Sequence, residues 1–325
     1  MESMRASLGF WIVFCATSLV TAAEPASPPL PQAPAATNDK RAQAADEFPP
    51  ALVRFIPYAH NPVFTAAGPG HWDVKIRERG WIMRDGERWH LWYTGYDGTR
   101  EGIKLLGHAT SADGLSWKRD AANPLDRNLW IEDMMVVRHD GRWIMFAEGR
   151  NDQAQWLTSA DGVHWTRQGT LDIRLVDGRP IPPGPFGTPT AWREEDGAWY
   201  LMYERGDRGV WLAKSADLKV WTNVQDEPVL SPGPDQYDRE MIAVNQVLQR
   251  DGHYYAYYHG SGDRAAPRQW TTNIAVSTDC IHWKKYAANP IVPGNRSSGI
   301  AVPLERGGFR LYTMHDKVET FMPGK

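Results

Sequence analysis

The sequence predicts an all-β fold: a five-bladed β-propeller with blades of four antiparallel strands and a ring closed by an N-terminal strand. Three observations lead to this prediction. A hairpin-turn signal recurs at a nearly constant spacing, a second motif follows four of the five hairpins, and a detached copy of a third motif precedes the first hairpin. Self-similarity at a fixed period is typical of repeat architectures.

The first repeat is a tight turn between two β-rich segments. Asp-Gly occupies four of these turns and Gly-Gly the fifth, and each is followed by an aromatic, apolar stretch such as "RWIMFAEG". Asp-Gly between two such segments is a strong hairpin signal. The glycine at the second position of each turn is separated from the next by 55 or 56 residues. These glycines are Gly86, Gly141, Gly197, Gly252 and Gly308.

The second repeat has the form S-x-D-x-x-x-W, as in "SADGLSW". Ser and Asp side chains in this pattern can bond to the backbone amides of a tight turn, and the Trp can pack between sheets. We therefore interpret the acids of this repeat, and those of the Asp-Gly turns, as structural. The four copies begin at Ser111, Ser159, Ser215 and Ser277.

The third repeat is a short Pro-containing segment such as "ANPL" or "ANPIVPG". The fifth blade lacks its own S-x-D-x-x-x-W copy, whereas "FIPYAHNPVF", from residue 55, contains the third repeat without preceding strands. We expect this N-terminal segment to supply the outer strand of the fifth blade and to close the ring.

The N-terminus predicts export. Residues 1–23 combine Arg5 with a short apolar run and small residues, which is typical of a secretory signal peptide. Residues 24–48 are rich in Pro and Ala and read as a linker, and 49–325 form the propeller. We expect a secreted or periplasmic monomer with no membrane association after cleavage. Only Cys280 would then remain, so no internal disulfide could form.

Composition excludes some functions. The formal net charge of −3 gives no electrostatic reason to bind nucleic acid. The 16 Trp and 12 Tyr suit either sugar stacking or sheet packing, so their number alone decides nothing.

Candidate site residues lie where the strands of a hairpin meet the mouth of the ring. In a propeller, the innermost strand of each blade begins at one face and its hairpin partner ends there. Across the five blades, the positions at the beginnings of the innermost strands form one row and those at the ends of the partner strands form a second. Both rows are more polar than the strand segments between them. The rows contain Glu78, Glu132, Asp133, Thr188 and Asn245 at the first strands, and Thr94, Glu148, Glu204, His259 and His315 at the second.

The chemistry that these rows favour is acid–base cleavage of a glycosidic bond. One carboxylate stays ionised and acts on water or on the sugar, while another stays protonated and donates to the leaving oxygen. The sequence has no nucleophile elbow, no phosphate-binding loop and no clustered Cys/His ligands. No cofactor is expected to be required, no catalytic metal is assigned, and the central channel could hold a structural cation.

The motifs "SADGxxW", "WYTGYDG" and "EDMMVVRHDGRW" resemble the five-bladed glycoside hydrolases of families 43, 32, 117 and 130. In families 43 and 32, the resemblance implies a blade-one base or nucleophile, a blade-two Asp that tunes the acid, and a Glu farther round as the acid. Asp133 matches the blade-two position. Glu78 stands in the blade-one register, with Asp73 as a competing candidate.

Blade three departs from that pattern, since "FGTPTAW" has no Glu. Glu204, at the end of the blade's second strand, is our substitute for the acid, and Glu240 is the other candidate. Trp72 could stack on a sugar. Arg77, Arg79 and Arg150 could bind a charged sugar or pair with the acids.

Four functions follow as alternatives. The first is an exported glycosidase acting on a plant or algal polysaccharide or oligosaccharide. A family 130-like phosphorylase is the second, although export disfavours it because sugar phosphate would form outside the cytosol. A sialidase-type enzyme is third, disfavoured by five blades and a shortened Asp-box repeat. The last is a non-catalytic carbohydrate-binding propeller. In every case the expected partner is a carbohydrate.

Overall fold

A computed structural model of the protein describes residues 47–324. The predicted signal peptide and all but the last two residues of the predicted linker lie outside this range. Phe48, assigned to the linker, is buried against Tyr286 with ring centroids 4.9 Å apart, so packed structure begins before residue 49. No helix among residues 47–324 has the length and apolarity needed to cross a membrane.

The chain forms five small sheets arranged as a five-bladed propeller, as predicted. A short helix, α1 (Pro50–Val53), precedes the strands β1 (Phe55–Pro57) and β2 (Phe64–Thr65). Blade one contains β3 (Lys75–Ile76), β4 (Trp81–Asp85), β5 (Arg88–Tyr96), β6 (Leu105–Ser111) and β7 (Lys118–Arg119). Blade two contains β8 (Glu132–His139), β9 (Arg142–Gly149), β10 (Gln153–Ser159) and β11 (Trp165–Thr170).

The other three blades follow in chain order. Blade three contains β12 (Asp172–Arg174), β13 (Gly187–Arg193), β14 (Trp199–Glu204), β15 (Val210–Ser215) and β16 (Val220–Asn223). Blade four contains β17 (Met241–Arg250), β18 (His253–Ser261), β19 (Trp270–Ser277) and β20 (Lys284–Lys285), preceded by the 3-10 helix Gln236–Asp238. Blade five contains β21 (Ile300–Pro303), β22 (Phe309–Met314) and β23 (Lys317–Pro323).

The innermost strands form a closed ring. β4, β8, β13, β17 and β21 contact one another in that order, and β21 returns to β4. Three sheets contain five strands, those of blades one, three and five. β12 adds a fifth, parallel strand to the outer edge of blade three, and β3 pairs with the mouth end of β5 in blade one.

The N-terminal segment closes the ring as predicted. β1 pairs antiparallel with β23, with Phe55 opposite Pro323, and β2 pairs with the start of β23. The Asn61 side chain completes the junction, because its amide donates to the Thr320 carbonyl and its oxygen accepts from the Thr320 amide, both at 2.8 Å. Asn123 and Asn289 of the third repeat make the same paired contact with His108 and Ile274.

The S-x-D-x-x-x-W repeat forms the outer turns. In its first copy, Ser111 Oγ accepts from the Gly114 amide at 2.8 Å, and Asp113 Oδ1 accepts from the Ser116 amide at 2.8 Å. The same bonds recur in the other three copies. The structural interpretation of these acids is therefore confirmed, and it removes them from the candidate site.

The Asn61 junction provides a test of ring closure. Asn61→Ala removes two backbone-directed hydrogen bonds and leaves the amide and carbonyl of the buried Thr320 with fewer partners, so we expect a loss of about 1–3 kcal/mol in the free energy of unfolding. Urea denaturation would measure the loss. Asn128→Ala, at an exposed position, is the control. Equal midpoints for the two variants would show that the junction does not hold the ring.

Candidate active site

The strand ends of the middle blades meet at the mouth of the ring. In blade two, Glu132 at the start of β8 lies opposite Glu148 near the end of β9. In blade three, Gly187 lies opposite Glu204, and in blade four Ala243 lies opposite His259. The acids at the two ends of the "EDMMVVRHDGRWIMFAEG" hairpin therefore share one edge.

The backbone at the mouth is unusual in the same way in four blades. Arg79, Asp133, Thr188 and Ser298, which precede or begin the innermost strands, have φ values of 53°, 47°, 48° and 61°. Non-glycine residues seldom adopt this left-handed region, and such outliers cluster at functional sites. In blades two and three the pairing register also shifts at this point, which is the mark of a β-bulge that re-aims a side chain.

Polar side chains from all five blades surround a cavity of ≈190 Å³ at the mouth, which we call the acid cavity. Carboxyl groups dominate its wall, and only two arginines oppose them. Its charged and titratable lining consists of Glu78, Asp133, Glu148, Asp152, Glu204, Asp207, Arg77, Arg268 and His259.

Two glutamates of neighbouring blades are held close together there. Thr188 donates to Glu148 Oε1 from its amide at 2.5 Å and from its hydroxyl at 3.1 Å. The Asp207 amide donates to Glu204 Oε2. Gly187 lies between the two carboxyl groups: a Cβ there would come within 2.1 Å of Glu148 Oε1 and 2.9 Å of Glu204 Oε1. A side chain at this position would displace both carboxyl groups, so glycine lets the two glutamates keep these places in the cavity.

Crowding of acids shifts their protonation. Burial and the neighbouring Asp207 and Asp133 carboxylates raise the pKa of Glu204 to about 8. Burial raises the pKa of Asp207 to about 6, although Arg264 and Arg268 oppose it. Burial and the Glu148 charge raise the pKa of Asp133, and burial and the Glu204 charge raise that of Glu148. These acids therefore hold protons more tightly than ordinary carboxyl groups do, and Glu204 is protonated at neutral pH.

Glu78 on the opposite side behaves differently. Burial disfavours its charged form, but Arg77 and His315 outweigh burial and lower the pKa of Glu78 to about 2. Arg77 Nη2 lies 2.7 Å from Glu78 Oε1. Glu78 is also among the more exposed acids of the site, with 31% of its side chain accessible. It is therefore an ionised carboxylate within reach of solvent.

A neutral histidine of blade four, His259, lines the acid cavity. Asn245 Nδ2 and His259 Nδ1 are 3.0 Å apart, so the buried Asn245 amide orients the ring. Burial and the Arg79 charge lower the pKa of His259 to about 3. Trp270 meets this ring edge-to-face at 5.0 Å and is half-buried at the cavity wall. A neutral imidazole and an indole suit contacts with sugar hydroxyls and ring faces.

The structure places four of the predicted residues away from the acid cavity. Asp73 is buried against Arg119, with Nε and Oδ2 3.2 Å apart. Trp72 stacks on Tyr93 at 5.7 Å. Glu240 has 43% of its side chain exposed and pairs with Arg239 at 3.5 Å. Thr94 donates to the Ile131 carbonyl.

Glu132 and His315 stand beside the acid cavity. Glu132 Oε2 pairs with Arg77 Nη1 at 2.6 Å. His315 contacts Ser297 Oγ at 3.2 Å and lines an adjoining cleft of ≈750 Å³ that shares Arg77 and Glu78 with the acid cavity. Arg77 is thus a salt-bridge partner of two acids.

Sequence reasoning missed Asp152, Asp207, Arg268 and Trp270. A signal for the two aspartates was present, because "EGRND" and "ERGD" both place an Asp three or four residues after the strand-end Glu. Arg268 and Trp270 reach the cavity from the loop between β18 and β19 and from the start of β19, and no repeat marks them.

One group of acids could hold a cation. Glu132, Glu148 and Asp152 each offer an oxygen within 4.8 Å of the others. All three are hard oxygen ligands of the kind that Ca²⁺ and Mg²⁺ use. Arg77 already neutralises part of this charge through Glu132.

Comparison with known proteins agrees with the fold. No protein-family model matches the chain. A 1,2-β-oligomannan phosphorylase of Thermoanaerobacter sp. (strain X514) is 25% identical over 231 residues, which cover 65% of this chain and 73% of the relative. An uncharacterized protein of Mycobacterium tuberculosis is 24% identical over 225 residues, covering 62% and 73%.

Solved structures are similar at lower identity. A glycosyl hydrolase from Bacteroides ovatus superposes with a TM-score of 0.66 at 16% identity, covering 83% of this chain and 95% of its own. A β-1,2-mannobiose phosphorylase from Listeria innocua gives 0.64 at 14%, covering 83% and 97%. A structure from work on family 130 hydrolases that target β-1,2-mannosidic linkages in Candida mannan gives 0.65 at 17%, covering 82% and 92%. The chain therefore has the five-bladed propeller fold shared by glycoside hydrolases and glycoside phosphorylases.

The raised pKa of Glu204 predicts a pH-dependent stability cost. The folded state holds a proton between the ordinary value of 4.5 and about 8, so stability falls as pH rises through that window. Glu204→Gln keeps an acceptor for the Asp207 amide and removes the charge. Above pH 8 we expect the free energy of unfolding of this variant to exceed that of the wild type by at least about 1 kcal/mol. The difference should vanish below pH 4.5.

Urea unfolding across this pH range would measure the difference. Glu195→Gln, at an exposed position, is the matched control. A gain for Glu204→Gln that is equal at both ends of the range would contradict a raised pKa at this site.

Proposed function

We propose that the protein is a glycosidase that hydrolyses β-1,2-linked mannosides at the acid cavity. One observation carries the proposal. A single cavity contains a carboxyl group whose pKa is raised to about 8, on Glu204, and one whose pKa is lowered to about 2, on Glu78. Two carboxyl groups driven apart in this way are the acid and the base of glycoside hydrolysis.

Each residue then has a defined role. Glu204 donates its proton to the leaving glycosidic oxygen. Glu78, ionised and accessible, acts on water as a base or on the sugar as a nucleophile. Asp133 helps to keep Glu204 protonated through charge repulsion, which is the tuning role implied by the resemblance to families 43 and 32. The perturbed acids disfavour a non-catalytic binding propeller, since sugar binding alone needs no such pKa separation.

The charge of the cavity favours water over phosphate as the acceptor. Six carboxyl groups line it against two arginines, and Arg77 is already paired with Glu78 and Glu132. Arg268 is then the one lining arginine without a carboxylate partner, so the described part of the cavity offers few cationic contacts to a phosphate dianion, whereas water needs none.

The relatives support the choice of sugar. The names of the curated relative and of two similar structures refer to β-1,2-linked mannose. Export and a plant or algal polysaccharide substrate remain predictions from the sequence. Phosphorolysis is the second candidate, because two of these proteins are phosphorylases.

The test is product analysis with β-1,2-mannobiose in the presence and absence of inorganic phosphate. We expect mannose to be released at the same rate in both, with no mannose 1-phosphate. Phosphate-dependent formation of mannose 1-phosphate would instead establish the phosphorylase. No release from this or any other glycan on a plant, algal and yeast panel, together with a thermal shift, would favour the binding propeller.

Substitution of the acids tests their roles. Asp133→Asn should lower kcat at neutral pH less than loss of Glu204 does, because it removes one of several carboxyl groups that raise the pKa of Glu204. Glu204→Gln should lose activity on mannobiose yet retain it on an aryl mannoside, whose leaving group needs no proton. The matched control is Glu240→Gln, which should behave as wild type. Loss of activity in that variant and not in Glu204→Gln would reverse the assignment.

A further inference from the structure

A second concave site adjoins the acid cavity. It has a volume of ≈470 Å³ and shares Pro185 and Gly206 with the acid cavity. Its wall comes from the loop before β13, the loop between β14 and β15, the start of β15, and the loop between β18 and β19. We call it the arginine pocket, defined by Arg205, Arg208, Trp211 and Arg264.

The charge of the arginine pocket is the reverse of that of its neighbour. Three guanidinium groups line it and no carboxyl group does. Among residues 47–324, none of these three arginines forms an ion pair within 4.0 Å of a carboxylate. Asp207, on the acid-cavity side, is the carboxyl group whose pKa responds to Arg264.

Two of the arginines are oriented by backbone carbonyls. Arg264 Nη2 donates to the Glu240 carbonyl at 2.8 Å and its Nη1 to the Gly206 carbonyl at 3.2 Å. Arg205 Nη2 donates to the Pro182 carbonyl at 2.7 Å. Carbonyl oxygens fix a guanidinium without cancelling its charge, so the positive potential stays available to a ligand.

Arg208 is the free cation of the arginine pocket. It is exposed, and its side chain makes no hydrogen bond or ion pair with any residue in the described part of the chain. A planar guanidinium with unused N–H groups matches carboxylate, sulfate or phosphate oxygens in a bidentate contact.

The rest of the wall is apolar. Trp211 is half-buried, stacks on Tyr203 at 6.2 Å and donates from Nε1 to the Asp226 carbonyl at 2.9 Å. Pro183 and Pro185 line the site with it. An indole and proline rings offer a surface for the C–H face of a sugar, which a bare inorganic anion would not use.

We infer that the arginine pocket binds an oxyanion substituent of a saccharide whose neighbouring residue occupies the acid cavity. The inference rests on the proposed function for the saccharide part. The two adjoining sites of opposite charge would orient such a substrate, since the acid cavity repels an anionic sugar and accepts a neutral one. The substituent is a phosphate, a sulfate or a carboxylate, which share this chemistry.

Calorimetric titration of the purified protein at low ionic strength tests this directly. The probes are mannose 6-phosphate, mannose 6-sulfate, glucuronate, methyl mannoside and inorganic phosphate. We expect at least one anionic sugar to bind about tenfold more tightly than methyl mannoside, and the tightest of the three identifies the substituent. Added salt should weaken that binding, because the contacts are exposed charges.

Variants locate the binding. Arg208→Gln should weaken the anionic sugar about tenfold, and Arg264→Gln should do the same. The matched control is Arg142→Gln, which removes the same charge next to the Gly141 turn at the other end of a blade-two hairpin. It should bind as wild type does.

Three results would overturn the inference. Wild-type affinity in Arg208→Gln is one, and an equal loss in Arg142→Gln is another. The third is inorganic phosphate binding as tightly as the sugar phosphate, which would mean a simple anion site. Binding can be measured without turnover, so failure of these binding tests leaves the glycosidase proposal standing. A protein that binds the anionic sugar as expected but cleaves no mannoside would contradict the glycosidase proposal alone.

Discussion

The buried guanidinium of Arg79 is the interaction on which both the ring and its site depend. It comes from blade one, donates to the Asp133 carbonyl of blade two at 2.9 Å, and reaches the Pro189 carbonyl and Thr190 hydroxyl of blade three at 2.9 and 2.6 Å. Only 1% of it is accessible. A buried cation is costly unless opposing charges lie near, and the acid cavity supplies them. Burial lowers the pKa of Arg79 to about 10, while Asp133, Glu148 and Glu204 favour its charged form.

This arrangement explains how so many acids can share one small cavity. Arg79 offsets part of their mutual repulsion from the channel side, Arg77 offsets another part from blade one, and protons held near neutral pH remove the remainder. The strained backbone at Asp133 and Thr188 is kept in place by the closed ring around it. The crowded acids and the strained backbone of the site therefore lower the stability of the protein, and the rest of the fold compensates for that loss.

The fold could be predicted closely because its signals are local and repeated. Turn residues, strand alternation and the Ser–Asp turn each depend on neighbours within a few positions, and five copies at one spacing leave few alternatives. The parallel strand β12 escaped prediction because "LDIR" follows a complete blade and carries no repeat signal.

The site could be predicted only in part. Register along a hairpin brought Asp133, Glu148 and Glu204 to the mouth, since strand ends follow from the turn position. Whether a side chain at a strand end reaches into the cavity could not be inferred in this way. Asp73 and Glu240 stand near the right strands, but Arg119 holds the first away from the mouth and Arg239 pairs with the second outside the cavity. Arg268 and Trp270 come from loop conformation, which no periodicity encodes.

The pairing of β1 with β23 has a consequence for how the chain can be assembled. Strands from opposite ends of the propeller sequence share one sheet, with Phe55 beside Pro323, so blade five cannot be complete until the last strand has been made. During synthesis, β1 therefore emerges before the strand with which it pairs. Because β1 and β23 lie side by side, the two ends of the propeller sequence could be joined and new ends opened between other blades without changing the order of the blades in the ring. The same ring could be encoded from a different starting blade, provided that one sheet still joins the first strand to the last.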